Sequence, residues 1–584
     1  MIKRRIIRCT ALLLCLAVLC GLGGLPAWAD GPDAEAMPWG AETLPPEQAE
    51  GGAAPPEEGE AAEPTVELPP PMEVSRSLED TYGLEYTPPH GQLFTNRVDG
   101  YEITLPGDFT VDMTKSDVCA VLGNDAWKLE IYRQELSGVS PLAYINYSNR
   151  FIANTADHGW EYGVSESVNG YMAHVMQWSR RDLAALDRDF NHYACVNIVA
   201  GSNLVYTFFF KADDAFWGPE QYMEMVRSFR QVYPTRTAYT VMTQGPADRE
   251  EWDELTRYAF DTLFGAEAGL SWGLFEHAAP MHMQRVNFIE KNLEFKFPIQ
   301  LLYIHFGEED TLTQLETALA NVKAEGRIME LTLQTVAQPA EQGNMVYDVL
   351  DKEHDDYLQR LAELIAANRQ PVLFRLGNEM NGDWCPYSAW HTSRDAEVYR
   401  AFSRYVYDRL EEYGAGPWLI RVWNPNERSY PDFKWNHAGL YYPAEDDMDV
   451  IGLTGYNTGT YYPSETWRSF DEIYAPLYEE AVARHAQPLM ITEFSCSSVG
   501  GDKVQWVQDM FASIADYPRI KAAVWWSGRD LDAQGNIARP YWIDDNRLMT
   551  FYLKRGFDGL EAGWLSDPAP PEEAKDEFPF KLFL

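Results

Sequence analysis

From about residue 236 onward, short apolar runs alternate with longer amphipathic stretches. The apolar runs are GLSWGLFE (269–276), PIQLLYIHF (298–306), RIMELTLQT (327–335), PVLFRLGNE (371–379), PWLIRVWNPN (417–426), MDVIGLTGY (448–456), PLMITEFS (488–495) and IKAAVWWS (520–527). Each has strand length and little internal alternation, which is the mark of a strand buried on both faces. Between them QRVNFIEKNLEF, TLTQLETALANVKAE, DDYLQRLAELIAANR, AEVYRAFSRYVYDRLEEYG, FDEIYAPLYEEAVARH and KVQWVQDMFASIADY repeat apolar residues at helical spacing. Eight such units over residues 235–565 fit an α/β fold, a (β/α)8 TIM barrel, inside the usual ~250 to 400 residues. An open doubly wound sheet is the alternative, and neither GxGxxG nor GxxxxGK[ST] is present to support it.

Upstream the pattern differs. Residues 79–234 hold GYEITLPGDF, AWKLEIYRQ, GYMAHVMQWSR, YACVNIVAG and NLVYTFFFKA, which read as strands, and YINYSNRFIANT and EQYMEMVRSFRQ, which read as helices. That predicts a small α+β domain. It offers no acid/base pair, nucleophile or metal cluster, so binding or spacing is its expected role. Residues 30–78 are rich in Pro, Glu and Ala with few apolar residues, and read as an acidic disordered linker, a self-repelling tether that could hold the protein to a cell surface. Residues 1–29 place Lys3, Arg4, Arg5 and Arg8 before an apolar stretch closing on Ala27-Trp28-Ala29, the form of a secretory signal peptide. An uncleaved membrane anchor is the alternative. Residues 566–584 read as a C-terminal tail.

Composition narrows the partners. The 584-residue chain is 46% hydrophobic with a net charge of −42, or −46 without the four basic residues of the leader. Such a surface repels phosphate backbones and anionic lipids and leaves neutral substrates untouched, so no nucleic acid partner is expected. Three of seven cysteines lie in the leader; Cys119, Cys195, Cys385 and Cys496 remain, without CxxC or Cys/His spacing for a metal. Cys119 and Cys195 could pair in an exported protein. Cys385 and Cys496 have no adjacent histidine to act as a base, and read as rim or packing residues.

Barrel active sites lie where the strands end and the βα loops begin. That rule draws attention to Glu379, closing the fourth run, and Glu493, closing the seventh. Two carboxyls at one mouth suit glycoside hydrolysis, in which one donates a proton to the leaving oxygen and the other attacks or activates water. Their environments must then differ. A separation of about 5 to 5.5 Å implies retention and about 6.5 to 9.5 Å inversion. Trp272, Trp384, Trp423, Tyr456, Trp525 and Trp526 also sit near strand ends, where they either stack on sugar rings or pack the barrel. Adjacent strand residues point to opposite faces, so at most one of Trp525 and Trp526 faces the cleft.

The order FRLGNEMNGDW, RVWNPN, YYPAEDDMDVIGLTGYN, MITEF and IKAAVWWS over residues 268 to about 545 resembles the family 26 glycoside hydrolases, the group of β-mannanases and some β-1,3-1,4-glucanases and xylanases in the clan of (β/α)8 retaining enzymes. The resemblance implies a double displacement with Glu379 as acid/base and Glu493 as nucleophile. It implies substrate contacts from Arg375 on the acid/base strand, Trp384 after the E-M-N-G turn, Tyr456 beside the nucleophile, Trp526 as the strand-eight platform and Gln334 on the third strand. One position departs from the pattern: the family usually places histidine before the acid/base, and this chain has Asn378. The wider clan carries asparagine there, against the sugar 2-hydroxyl, so Asn378 suits catalysis while opening the choice of sugar. The expected function is a secreted, extracytoplasmic endo-β-glycanase acting on β-mannan or glucomannan, without metal or organic cofactor. A β-1,3-1,4-glucanase or xylanase on the same scaffold, and a carbohydrate-binding barrel without turnover, are the alternatives.

Overall fold

The computed structural model describes residues 71–565, apart from 90, 217, 247–248, 308, 340–341 and 444–447. The leader, most of the linker and the tail expected from the sequence lie outside the described residues. Among the described residues, eight parallel strands close into a barrel: Ser271–Glu276, Ile299–His305, Ile328–Gln334, Val372–Leu376, Leu419–Trp423, Val450–Asn457, Leu489–Cys496 and Ile520–Ser527. The first strand pairs with the eighth, Ser271 opposite Ala522, which closes the ring. All eight expected strands are present, with ends one to three residues inside most of the apolar runs.

The helices at the six expected stretches lie outside the strands, and their apolar faces form one core with Trp272, Leu331, Phe374, Phe494 and Trp525. Asp395 caps the helix Ala396–Glu412 by accepting from the Glu397 amide, and Ser469 with Glu472 forms a capping box on Phe470–Arg484. Among further helices, Glu254–Phe264 plugs the bottom of the barrel. Its Leu263 and Phe264 pack with Trp252, Trp564, Ile299, Ile328 and Leu373. The lumen is therefore solid below and open only where the strands end.

The first domain is built mainly of strands. Among the described residues a four-stranded antiparallel sheet joins 82–87, 91–96, 101–106 and 230–231. A seven-stranded antiparallel sheet runs in the order 110–112, 120–123, 127–135, 204–212, 192–201, 171–180, 158–168. Helices Pro141–Ser148 and Glu220–Arg227 accompany them. Structure begins before residue 79: Glu73 bridges to Arg236, and Ser75 bonds Thr237.

The larger sheet is buried on both faces, which explains its near-continuous apolar runs. Phe208, Phe210, Ala194 and Val196 face the domain's own core. Phe209, Tyr193, Cys195 and Trp178 face the barrel and belong to the same core as its helices. On that face Trp178, Tyr193 and Phe209 stack with centroids 5.3–5.8 Å apart.

The pairing of Cys119 with Cys195 that the sequence left open does not occur; both are free and buried. Cys119 precedes strand 120–123 and Cys195 lies three strand positions away, roughly 14 Å at normal strand spacing, against the ~7 Å limit between α-carbons for a disulfide. Among the described residues no helix is long and apolar enough to cross a membrane.

Candidate active site

The lumen changes character from bottom to top. Apolar residues at alternate positions fill its lower layers: Ile299 and Leu301, Ile328, Leu373, Ile420 and Val422, Val450, Met490, Ala522 and Val524. One step further along the same strands come Tyr303, Thr332, Arg375, Asn424, Thr454 and Thr492, which form a hydrogen-bonded polar layer, with the Glu330 carboxyl 3.4 Å from Arg375 beside it.

Glu493 reaches this layer because its strand is irregular. Leu453 pairs with Ile491 but Thr454 with Glu493, and on the other side Ile491 pairs with Ala523 but Phe494 with Trp525. The bulge inserts one residue and flips the faces beyond it. Phe494 turns outward against Trp272, Phe470 and Trp525, and Glu493 turns inward. Glu493 is thus not the last residue of its strand, as the sequence suggested; the strand continues to Cys496.

Glu379 is also displaced from its expected place. The fourth strand ends at Leu376, and Gly377 and Glu379 take left-handed backbone angles of +54° and +55°. That conformation is strained for a residue with a side chain, by about 1 kcal/mol or more. The turn is fixed on both sides. A β-carbon at Gly377 would lie 3.1 Å from Tyr399, and the Glu379 amide donates to the Asn424 carbonyl at 2.7 Å.

Every partner of Glu493 donates. Arg375 Nη1 lies 2.6 Å from Oε1, Asn378 Nδ2 3.3 Å from the same oxygen, and the Tyr456 hydroxyl 2.8 Å from Oε2. The Tyr303 hydroxyl also bonds Glu493. An ionised carboxylate accepts such a set. Arg375, fully buried, is fixed in turn by Thr332 Oγ1 and Asn424 Oδ1, each at 2.8 Å. Burial pulls its guanidinium down, but the Glu493 and Glu330 carboxyls outweigh this and hold it charged. Burial, then the charge of Glu493, pushes the Tyr456 hydroxyl well above its ordinary value, so it remains a donor.

Glu379 has a different setting. Burial first, then the neighbouring negative charge of Glu493, pushes its carboxyl up to about 8, while the Trp384 indole opposes the rise. Trp384 Nε1 donates to Glu379 Oε2 at 3.1 Å. One carboxyl is therefore held protonated at neutral pH beside another surrounded by donors, the division of labour that acid and nucleophile require.

Asn378 is oriented between them. Its Oδ1 accepts from Gln334 Nε2 at 2.7 Å, leaving Nδ2 aimed at Glu493. His305 contacts Gln334 Oε1 at 3.1 Å and extends the chain to the second strand. Trp526 stacks on Phe275 at 5.2 Å, with Tyr456 at 6.3 Å edge-on. Close backbone approach makes room for both cleft tryptophans: a β-carbon at Gly382 or Gly528 would fall 2.5 Å from the Trp384 or Trp526 ring, respectively. Trp272, Trp423 and Trp525 are only 1–3% exposed and pack behind the strands.

The structure thus brings together Glu379, Glu493, Asn378, Arg375, Trp384, Tyr456, Trp526 and Gln334. Sequence reasoning missed Tyr303, His305, Phe275, Asn424 and Glu330. Tyr303 and His305 were findable as alternating polar breaks near the top of LLYIHF; Glu330, inside an apolar strand, was a second signal. Cys385 and Cys496 are buried, with thiols pushed up first by burial, and belong to the packing. Among the described residues no group of three or more His, Cys, Asp or Glu is arranged to hold a metal ion.

Residues 325–497, from the start of the third strand to the end of the seventh, match the family model described as glycosyl hydrolase family 26. The matched stretch takes in both Glu379 and Glu493. A 184-residue stretch is 30% identical to endoglucanase H of Acetivibrio thermocellus, covering 30% of this chain and 20% of that protein's length. Among solved structures, the chain is similar to the catalytic domain of an endo-β-1,4-mannanase from a Bacillus species, with 16% identity, 54% of this chain and 93% of that chain covered, and a TM-score of 0.41. A modular endo-β-1,4-mannanase from Cellulomonas fimi gives 17% identity, coverage of 55% and 78%, and a TM-score of 0.41.

Proposed function

We propose that the barrel is a retaining endo-β-glycanase, with Glu379 as acid/base and Glu493 as nucleophile. The observation that carries this reading is the contrast between the two carboxyls: Glu379 pushed up to about 8 by burial and by Glu493, and Glu493 ringed by Arg375, Asn378, Tyr456 and Tyr303.

In the first step Glu493 attacks the anomeric carbon while Glu379 gives its proton to the departing glycosidic oxygen, breaking the C–O bond and leaving a glycosyl ester on Glu493. In the second, Glu379, now ionised, takes a proton from water, which attacks the same carbon and releases Glu493. Departure of the leaving group removes nothing from the site except the Glu379 proton, and the water restores it. Arg375 and Tyr456 hold the nucleophile in one orientation through both steps, so little reorganisation accompanies charge transfer. Trp384 and Trp526 offer flat apolar faces to sugar rings, and Asn378 Nδ2 is a donor for the 2-hydroxyl.

The proposed substrate is β-mannan or glucomannan, as the order of motifs around Glu379 and Glu493 suggests. A second reading, β-1,3-1,4-glucan, is favoured by Asn378 at the position that reads the 2-hydroxyl and by the name of the endoglucanase relative. Export through residues 1–29 and attachment through 30–78 complete the proposal, with N-terminal mass analysis of the exported protein as its check. The deciding experiment measures reducing ends released from mannan, glucomannan, mixed-linkage glucan and xylan, with Glu379→Ala and Glu493→Ala alongside. Cleavage of one polymer that disappears in both variants is expected; unchanged cleavage by Glu493→Ala overturns the assignment, and binding without cleavage favours a non-catalytic barrel.

A further inference from the structure

The loop that carries Asn378, Glu379 and Trp384 runs from the fourth strand to helix Ala396–Glu412, and its second half leans on the first domain as well as on Asn344 and Tyr441 of the barrel domain. Tyr147, on helix Pro141–Ser148, donates its hydroxyl to the Asp383 carboxylate, next to Trp384. Trp390 Nε1 donates to the Tyr147 carbonyl at 3.2 Å, and the two rings lie 5.5 Å apart. His391 contacts the Asp383 carbonyl at 2.7 Å, and Arg150 covers the Tyr147 ring at 4.9 Å.

Further along, Ser393 and Arg394 adopt left-handed angles of +61° and +60°. Arg394 is buried against the first domain, over Phe209 at 5.5 Å, with Nη1 3.2 Å from Asn149 Oδ1 and 3.3 Å from Cys195 Sγ. Asp395, the cap of the following helix, accepts from Lys211 Nζ at 2.7 Å and from the Tyr193 hydroxyl at 3.0 Å. Lys211 is itself buried and bonds Glu130 at 2.6 Å. A loop with this many buried charges and strained residues keeps one shape only while its partners are in place.

We infer that the first domain is the scaffold of the acid/base loop, and that Tyr147 is a positioning residue acting on Glu379 through Asp383 and Trp384. The inference rests on the proposed role of Glu379. It gives the domain a part in turnover that requires no glycan-binding surface of its own. Stacked Trp178, Tyr193 and Phe209 would face solvent if the domain stood apart, so the two domains work as one body.

The test uses Tyr147→Phe in the full chain, with Asp383→Asn approaching the same contact from the barrel side should the first variant fold poorly. Backbone hydrogen exchange, which needs no substrate, is expected to quicken by about fivefold to tenfold within residues 377–395, the effect of losing one charge-assisted hydrogen bond. In turnover, kcat is expected to fall by about tenfold, inside the ~100-fold that a 1 Å misplacement can cost. The alkaline limb of kcat/KM moves up, because a loosened Trp384 no longer stabilises ionised Glu379. The double variant loses no more than either single one, since both remove one contact. Asp117→Asn, which weakens the ion pair with Arg484 elsewhere on the interface, leaves exchange in 377–395 unchanged. Unchanged exchange in both Tyr147→Phe and Asp383→Asn, or equal quickening by Asp117→Asn, overturns the inference. A wild-type protein that cleaves no glycan counts against the hydrolase reading alone, because the exchange result still decides whether Tyr147 holds the loop.

Discussion

Glu330→Gln tests the electrostatics of the barrel lumen without touching the cleft. Glu330 is fully buried, its nearest charge is Arg375 with Nε 3.4 Å from Oε1, and neither carboxyl oxygen accepts a hydrogen bond from the described residues. Burial first, and the charge of Glu493 after it, outweigh Arg375 and push the carboxyl up to about 8. Unfolded, the group titrates near ~4.3. Between these values the folded protein binds one proton more than the unfolded chain, so stability must fall as pH rises. The slope is about 1.4 kcal/mol per pH unit, and the accumulated loss by pH 8 is on the order of 5 kcal/mol. Glutamine copies the protonated shape and cannot ionise. Urea unfolding from pH 5 to 8 should therefore show a shallower decline for Glu330→Gln, by about 1.4 kcal/mol per unit, with the variant the more stable at pH 8. At pH 5 the two proteins should agree within about 1 kcal/mol, the exchange of one neutral polar group for another. Parallel unfolding curves for variant and wild type would refute the reasoning, since Glu330 would then ionise alike in both states.

Three other substitutions probe neighbouring points. Trp384→Phe keeps an aromatic face but removes the donor to Glu379, so the alkaline limb of kcat/KM should rise from about 8, by roughly half a unit to one unit for a half-exposed hydrogen bond; a limb that stays or falls contradicts the contact. Arg375→Met strands Glu493 and should lower the urea unfolding free energy by about 3 to 5 kcal/mol near neutral pH; an unchanged midpoint would mean that the ion pair contributes nothing. Gly528→Ala places a methyl 2.5 Å from the Trp526 ring, which is already stacked on Phe275, so KM should rise several-fold while the unfolding midpoint barely moves; an unaltered KM would show that Trp526 is not the sugar platform.

Strand by strand, the barrel was legible because a parallel strand covered on both faces must be apolar nearly throughout, and PIQLLYIHF or IKAAVWWS can be little else. The side-chain directions were less so. Regular alternation from Met490 through Thr492 would aim Phe494 into the lumen and Glu493 out; the bulge, set by pairing with both neighbouring strands, keeps Thr492 inward and reverses the other two. Nothing local in MITEF announces that irregularity. The same holds for Glu379, whose left-handed backbone is imposed by Tyr399 against Gly377 and by the Asn424 carbonyl, residues 22 and 45 positions away in the chain. The pairing of Cys119 and Cys195 stayed open for the complementary reason: a count of cysteines contains no distance, and sheet order puts two strands between theirs.

The two carboxyls are held by opposite means, and that asymmetry is what connects the domains. Glu493 sits inside a closed ring of strands, where Arg375, Thr332 and Asn424 are already fixed by barrel geometry. In its proposed role as nucleophile Glu493 needs that rigidity, since it must bond to and then leave one anomeric carbon in each turnover. Glu379 lies beyond the end of its strand, on a loop that barrel residues hold up to Asn381 through Asn426, Tyr430 and Asn436 and then at two further points, Pro386 through Asn344 and Ala389 through Tyr441. The side chains of Asp383, Arg394 and Asp395 in the same loop take their partners from the first domain: Tyr147, Asn149, Tyr193, Cys195 and Lys211. An acid whose proton affinity depends on burial and on one indole donor is as reliable as the loop that supplies them. A barrel alone could fold around Glu493 and leave Glu379 poorly aimed, so the first domain completes an arrangement of which the ring of strands builds only half.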